Sequence, residues 1–315
     1  MGFNINGISQ YVNQEKKTLI AKLVAGAPTL NAPTVNTLEG IKAGSAEQVK
    51  LLTASPTYLI GSCATASGTS ATFVERNVSN TLITVYDGVC TDDMAAKLSK
   101  WIGSGAKADM EVPSEFMDAL VANISLDVAK AMWQGSLGTL SSNMLNDNVT
   151  GWLKRLTTAS AYSGATFKPT STYTAFTSSN AIAAMDDFLS NMPSAVADRQ
   201  VFVHMPPTAF NALTVALRNA DYYNFGAQNA PYSYPYPAFA NVTIVKDNGL
   251  SGAEYIVAAV ADLDQPDLLA VYDLKSDIED IEVWYDQTLD KVLWRIKFAI
   301  GTEIGFADQI GVLAY

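Results

Sequence analysis

PSEFMDALVANISLDVAKAMWQ, residues 113–134, reads as one uninterrupted helix, and the rest of the chain is arranged around it. Phe116, Leu120, Ile124, Val128 and Ala131, flanked by Met117, Val121 and Met132, recur at helical spacing and form a wide apolar stripe. Asp118, Asn123, Ser125, Asp127 and Lys130 mostly fall elsewhere on the wheel. Both ends are punctuated: Pro113 suits a first helical position, Glu115 and Asp118 favour the positive end of the helix dipole, and Gly135 supplies a stop. At 1.5 Å per residue such a helix spans roughly 33 Å, about the width of a small domain.

Upstream, Thr91, Asp92 and Asp93 cap a short helix, DMAAKLSKWI, that leads into the long one. From Val49 to Cys90 the texture is that of strands. The segments VKLLTA, TYLIGS, ATFVERNV and NTLITVYD lie on either side of a small-residue tip, CATASGTS, which describes a long hairpin with no helix beside it. A lone two-stranded ribbon is marginal in water, so this one is expected to lie on another surface. Ile8, Tyr11, Val12, Leu19, Leu23 and Val24 make an amphipathic helix of residues 8–25. The Pro- and Gly-broken AGAPTLNAPTVNTLEGIKAG that follows reads as an extended arm, disordered or laid along something else.

Downstream, GWLKRLTTASAYSGATFKPTSTYTAFTSSN is dense in Ser and Thr and reads as a long surface loop or insertion. A compact α/β unit follows: an amphipathic helix over 180–192, a short buried strand RQVFVHM, and a helix TAFNALTVALRNA opened by Pro206 or Pro207. Residues 221–240 concentrate Tyr222, Tyr223, Phe225, Tyr232, Tyr234, Tyr236 and Phe239 among prolines. Tyrosines on a stiff loop suit an interface, the alternative being a loop packed onto its own domain. Strands NVTIVKD and YIVAAVA lead into the last segment.

That last segment specifies a register. With Gln287–Asp290 as the turn, Asp286 faces Lys291, Glu282 faces Arg295 and Asp280 faces Lys297, three opposite-charge pairs on one face. The same register puts Tyr285 opposite Val292, Val283 opposite Trp294 and Ile281 opposite Ile296 on the other, so a slip is penalised on both faces. The charge row is structural, because carboxylates that do acid–base work are separated and unpartnered.

Composition bounds the function. The 315 residues are 49% hydrophobic but only 16% charged, against about 25% in ordinary soluble proteins. Either Ser, Thr and Asn replace charge on a wet surface, or much of that surface meets other protein. A formal charge of −11 argues against gripping nucleic acid, though not against enclosing it. Cys63 and Cys90 have no metal-ligand spacing, and His204 is the sole histidine, closing a strand with no GxSxG, Walker or HExxH pattern in the chain. It is therefore expected to be structural. MGFNINGISQ lacks the pattern of a secretory signal, and no apolar run approaches the ~20 residues that cross a bilayer, so a soluble protein made in the cytoplasm is expected.

An arm, a lone long hairpin, a long helix, the α/β unit with VFVHMPPTAFNALTVAL, and the closing DLLAVYDLKSDIEDIEVWYDQTLDKVLWRIKFAIGTEIGFADQIGV, with Asp273, Gly301 and Asp308, together resemble tailed-phage major capsid proteins of the Hong Kong 97 type. FVERNVSNTLITVYDGVCTDDMAAK is similar to shell proteins of phages that infect Bacteroidetes. The resemblance implies an α+β fold with an N-terminal arm (1–50), an extended β-hairpin loop (51–96) and a peripheral domain with a spine helix (97–150). An axial domain (151–261) and a return to the peripheral domain (262–315) complete it. It implies a structural protein, not an enzyme, that self-assembles as pentamers and hexamers into an icosahedral head around double-stranded DNA in the host bacterial cytoplasm. The expected partners are further copies of itself, portal, scaffolding and decoration proteins, and DNA held nonspecifically, with no cofactor, metal, membrane or small-molecule substrate. Phe73 and Arg76 on the hairpin join the tyrosines as expected interface residues. Some relatives carry a cleaved N-terminal scaffolding segment; here little more than an arm precedes the hairpin, so a separate scaffolding protein, or none, is expected. Some relatives also cross-link a hairpin lysine, but no lysine lies between Lys50 and Lys97, so a noncovalent shell is expected, with Cys63 or Cys90 a minor route to disulfides. Three rivals stay open: an encapsulin-like compartment, a tail or baseplate protein, and a cytosolic α+β enzyme built on residues 199–240 with His204 and tyrosines.

Overall fold

The computed structural model describes residues 19, 29, 32–41, 46–55, 70–90, 111–140, 144–158, 160–164, 166–220, 233–261, 267–272, 280–289 and 291–315, with backbone alone for 46–55, 70–75, 111–116, 160–161 and 280. The amphipathic helix expected over 8–25 and the helix expected over 93–102 fall outside them, save for Leu19, which is fully buried.

Strand β1 (Val35–Glu39) opens the described fold, so this part of the arm is laid along a sheet. β2 (Ala46–Ser55) and β3 (Ser70–Ser79) pair antiparallel, Ala46 opposite Ser79 through Ser55 opposite Ser70, as a separate two-stranded sheet. β4 (Thr81–Cys90) does not belong to that hairpin, contrary to the sequence reading. It turns at Asn80 and pairs along ten residues of the long C-terminal strand. Apolar, β-branched runs look alike in either role, and only the distant partner decides between them.

The spine helix α1 (Glu111–Gln134) starts two residues ahead of Pro113, which still lies within the first turn, where a missing N–H costs nothing. Met117, Val121, Ile124, Val128, Ala131 and Met132 are buried, whereas Ala122, Asn123, Leu126 and Asp127 face outward. The helix ends where the chain crosses itself: a Cβ on Gly135 would lie 2.2 Å from the Val149 carbonyl oxygen. α2 (Met144–Asn148), α3 (Trp152–Thr158) and α4 (Ser160–Ser163) follow. The Ser/Thr-rich stretch is thus no plain surface loop. Its first part buries Trp152, Leu153 and Leu156 against the spine, a spacing obscured by the hydroxyl residues after it.

α5 (Ala181–Ser190), α6 (Ser194–Ala197), β5 (Val201–Met205), α7 (Pro207–Asn219), β6 (Ser233–Pro235), β7 (Val242–Lys246) and β8 (Tyr255–Val260) build the axial unit. β9 (Leu268–Tyr272), β10 (Asp280–Asp286) and β11 (Lys291–Ile304) return to the spine, and β12 (Gly311–Ala314) crosses back. The peripheral sheet runs β1-β9-β11-β10, with β4 on the other side of β11; the axial sheet runs β12-β8-β5-β7-β6. The last strand therefore belongs to the axial sheet, although the whole segment after 262 reads from sequence as peripheral.

β8 and β12 form a wall between two cores. Ile256, Ala258, Val260 and Leu313 face the axial core, and Val257, Ala259 and Val312 face the spine core. A strand covered on both faces has no polar alternation, which is why YIVAAV is continuously apolar. A third, small cluster joins Val78 of the hairpin to Ile41, Leu269 and Val271.

The β10–β11 register sets Asp280 opposite Lys297, Glu282 opposite Arg295 and Asp286 opposite Lys291. Glu282 and Arg295 form an ion pair with side chains 42% and 37% exposed. A double-mutant cycle on this pair is expected to give coupling below about 1 kcal/mol at low salt, shrinking as salt rises. Coupling well above that figure would mean the pair is more shielded than its exposure indicates.

Asp187 gathers the loop ahead of α5: its carboxylate accepts from the backbone N–H of Ser171 (2.9 Å) and Thr170 (3.1 Å) and from the Tyr173 hydroxyl (3.2 Å). These donors, the Ser171 N–H foremost, hold its carboxyl below the usual value. A depressed folded value means the contribution is present above the ordinary carboxylate range of about 4 and lost as pH falls through the lowered one. Protection of the Thr170 and Ser171 amides, corrected for intrinsic exchange, is expected to fall over that acid window, and Asp187→Asn to flatten the dependence. An unchanged profile in the variant would assign the loop's order to other contacts.

Candidate functional site: the domain junction and the assembly surfaces

The parallel strands β5 and β7 end side by side, and His204, one residue short of the end of β5, and Asp247, just past the end of β7, meet the end of the spine helix. His204 is fully buried; its Nδ1 lies 3.2 Å from Asp247 Oδ2 and its Nε2 2.8 Å from the Thr34 hydroxyl. Asp247 also accepts from Trp133 Nε1 (2.9 Å), the Thr29 hydroxyl (3.2 Å) and the Gly249 N–H (2.8 Å). Trp133 packs edge-on against Trp152, centroids 5.0 Å apart, and lies 5.3 Å from the His204 ring. Gln134 donates to the Gly249 and Ser251 carbonyls. Arm, spine and axial sheet are thus tied at one buried point.

Asp247, His204 and Thr34 repeat the acid–base–hydroxyl order of a hydrolase triad, but a triad works on a substrate that reaches its nucleophile. Here Thr34 is 3% exposed, His204 0% and Asp247 5%. With Asp247 accepting from Nδ1, Nε2 is free to accept from Thr34, and every polar group is satisfied internally. This is the chemistry of a fastening. Among the described residues no group of three or more His, Cys, Asp or Glu is placed to hold a metal ion, and no helix is long and apolar enough to cross a membrane.

The hairpin root is the second junction. Ser79 and Asn80 cross over Gly301, where a Cβ would sit 2.1 Å from the Ser79 carbonyl oxygen, so only glycine admits this crossing. The Asn80 side-chain amide donates to the Ile41 carbonyl. On the same face, Arg76 lies over the Tyr162 ring, 4.8 Å from its centroid. The Tyr162 hydroxyl donates to Glu303 Oε1 (2.9 Å), and Arg155 Nη1 lies 3.0 Å from Glu303 Oε2. Burial first, then the Glu303 charge, push the Tyr162 hydroxyl above its ordinary value, opposed by the two arginines. The Trp152 indole N–H reaches both the Glu303 and Leu269 carbonyls at 3.1 Å, which fixes the strand carrying the acid.

The third feature is the outer face of the peripheral sheet. Leu82, Tyr86 and Cys90 of β4 are exposed, and Tyr86 lies 5.9 Å from Trp284 of β10, ring to ring, across the strand that carries Leu293. At the β10–β11 tip Leu289 is 55% exposed.

The residues expected at interfaces do not converge. Tyr222, Tyr223, Phe225, Tyr232 and Cys63 lie outside the described residues, as does the side chain of Phe73. Tyr234 and Tyr236 are 3% and 2% exposed inside their own domain. Tyr234 packs on Phe210 and burial pushes its hydroxyl up to about 12; Tyr236 donates to Asp186 at 2.8 Å. The alternative of a loop packed on itself holds for these two, because β6 pairs Tyr234 onto β7 and the Tyr236 N–H donates to the Val242 carbonyl (2.8 Å). Arg76 is turned inward onto Tyr162. The Asp247 and Tyr162–Glu303 networks have no local sequence signal beyond a polar residue near the end of each of two apolar strands, His204 and Asp247.

No known family profile matches the chain, and no curated protein is similar to it. Solved structures are. The structure titled Gordonia phage Cozz matches at a TM-score of 0.57 and 11% identity over 91% of this chain and 86% of that one. The satellite phage P4 procapsid including size determination protein matches at 0.55 and 12% over 95% and 98%. The capsid of an empty GTA particle matches at 0.55 and 11% over 92% and 90%. At such identities the likeness is one of fold, and it covers more than nine-tenths of the chain: the chain has the Hong Kong 97-type capsid fold.

Proposed function

We propose that this chain is the major capsid protein of a tailed phage, assembling through pentamers and hexamers into an icosahedral head around double-stranded DNA. The observation that carries the reading is a fold matched over nine-tenths of its length by phage and GTA capsid chains. The two-stranded hairpin supports it, since a ribbon of that kind is marginal alone and gains stability on a neighbour's surface. So does the low charge fraction, which large shared interfaces account for. Arm, hairpin and the 221–232 tyrosines are the proposed contacts between copies. The charge of −11 fits DNA enclosed with its counterions. Portal, scaffolding and decoration proteins, assembly in the bacterial cytoplasm and a Bacteroidetes host belong to the same proposal. The buried state of Thr34, His204 and Asp247 favours a structural role over catalysis.

Negative-stain electron microscopy and size exclusion of the full chain expressed alone test it. Closed shells, rings or curved sheets are the expected result; a chain that remains a small oligomer even when co-expressed with its neighbouring virion genes would overturn it. Protein cargo in place of DNA in particles from infected cells would move the assignment to a storage compartment. Deleting residues 1–40 is expected to leave soluble chain that forms no stable shell.

A further inference from the structure

We propose that Arg76, Tyr162, Glu303 and Arg155 form a releasable latch that sets the angle of the β2–β3 hairpin against the peripheral sheet, and that it opens between Arg76 and Tyr162. The latch belongs to the single chain; its consequence for particles rests on the shell reading above. Arg76 and Val78 share one face of β3, by the alternation of a strand, and Asn80 follows, buried, just past its end. Asn80 and Val78 are held at the root by the Ile41 carbonyl and by the Ile41, Leu269 and Val271 cluster. Arg76 is the next inward residue, so its seat fixes the lever above a root that is already fixed.

The charges identify where the chain of contacts gives way. Two guanidinium groups share a cluster that holds one carboxylate. Arg155 takes Glu303 directly at 3.0 Å, and Tyr162 takes the other oxygen at 2.9 Å. Arg76 is left with the ring face, and its Nε is buried without a hydrogen bond. A cation over a phenol is held by the ring quadrupole alone, whereas the ion pair is charge-assisted at both ends. The outer contact is therefore the weaker one, and breaking it leaves the Arg155–Glu303 ion pair and the Tyr162–Glu303 hydrogen bond in place. Arg76 is also the only basic residue between Lys50 and Lys97, so no other residue of that stretch can bring a cation to the ring.

Hydrogen exchange on the unassembled full chain tests the latch. Arg76→Ala and Tyr162→Leu are expected to speed exchange of the paired amides of β2 and β3 by roughly threefold to thirtyfold, the range of a partly buried cation–π contact. Exchange in α1 stays unchanged, which separates release from misfolding. Tyr162→Phe keeps the ring and loses the Glu303 bond, so it is expected to hold the hairpin nearly as the parent does, and Arg76→Lys to fall between. Unchanged hairpin exchange in Arg76→Ala and Tyr162→Leu, or release in Tyr162→Phe as large as in Tyr162→Leu, would overturn the proposal. In particles, Arg76→Ala is expected to broaden the distribution of shell diameters. If the parent forms no shells at all, it is the shell reading that fails, and the exchange experiment still decides the latch.

Discussion

Replacing Asp247 with alanine is expected to cost several kcal/mol of stability, since each buried donor left without its acceptor costs about 1–3 kcal/mol. The carboxylate takes donors from Thr29, Trp133, His204 and Gly249, and its removal leaves those groups buried without an acceptor. Asp247→Asn keeps the shape but turns an N–H₂ toward at least one donor, so an intermediate loss is expected. Urea unfolding of the unassembled chain, followed by tryptophan fluorescence, measures both, and Trp133 reports from inside the network. A loss below 1 kcal/mol in the alanine variant would mean that the arm, spine and axial sheet are held by packing alone.

Gly301→Val is the second large effect. The new Cβ would meet the Ser79 carbonyl oxygen at 2.1 Å and the Asn80 Cα at 3.0 Å, both backbone atoms that cannot rotate away. Overpacking ordinarily costs about 1–3 kcal/mol, and here the strain falls on a crossing between two strands, so the upper end or beyond is expected, with the hairpin root displaced. Gly164→Ala, where the added atom meets nothing within 4 Å, serves as the control. Soluble yield and unfolding midpoint of the two, measured side by side, decide the matter; equal values would show that the crossing can open without penalty.

What the sequence discloses and what it hides follow from range. The spine helix is legible because its burial pattern repeats within the helix itself, Met117 to Val121, Ile124, Val128 and Met132. The β10–β11 register is legible because three charge pairs and three apolar pairs agree across a turn of four residues. The membership of β4 and β12 is not, since each is assigned by a strand far away in the chain. Tyr234 and Tyr236 look like surface tyrosines until β7 and Asp186 cover them. The His204–Asp247 contact spans 43 residues and the Tyr162–Glu303 contact 141, distances over which neither periodicity nor motif carries information.

The wall made by β8 and β12 carries a consequence for synthesis. β12 is translated only after β9, β10 and β11, yet it pairs with β8 and contributes to both cores. A nascent chain that has emerged only as far as β11 presents the β8 edge bare, and neither core is closed. Translation must therefore pass residue 314 before either core can close, so a chain that stops short of β12 is barred by topology from completing the fold.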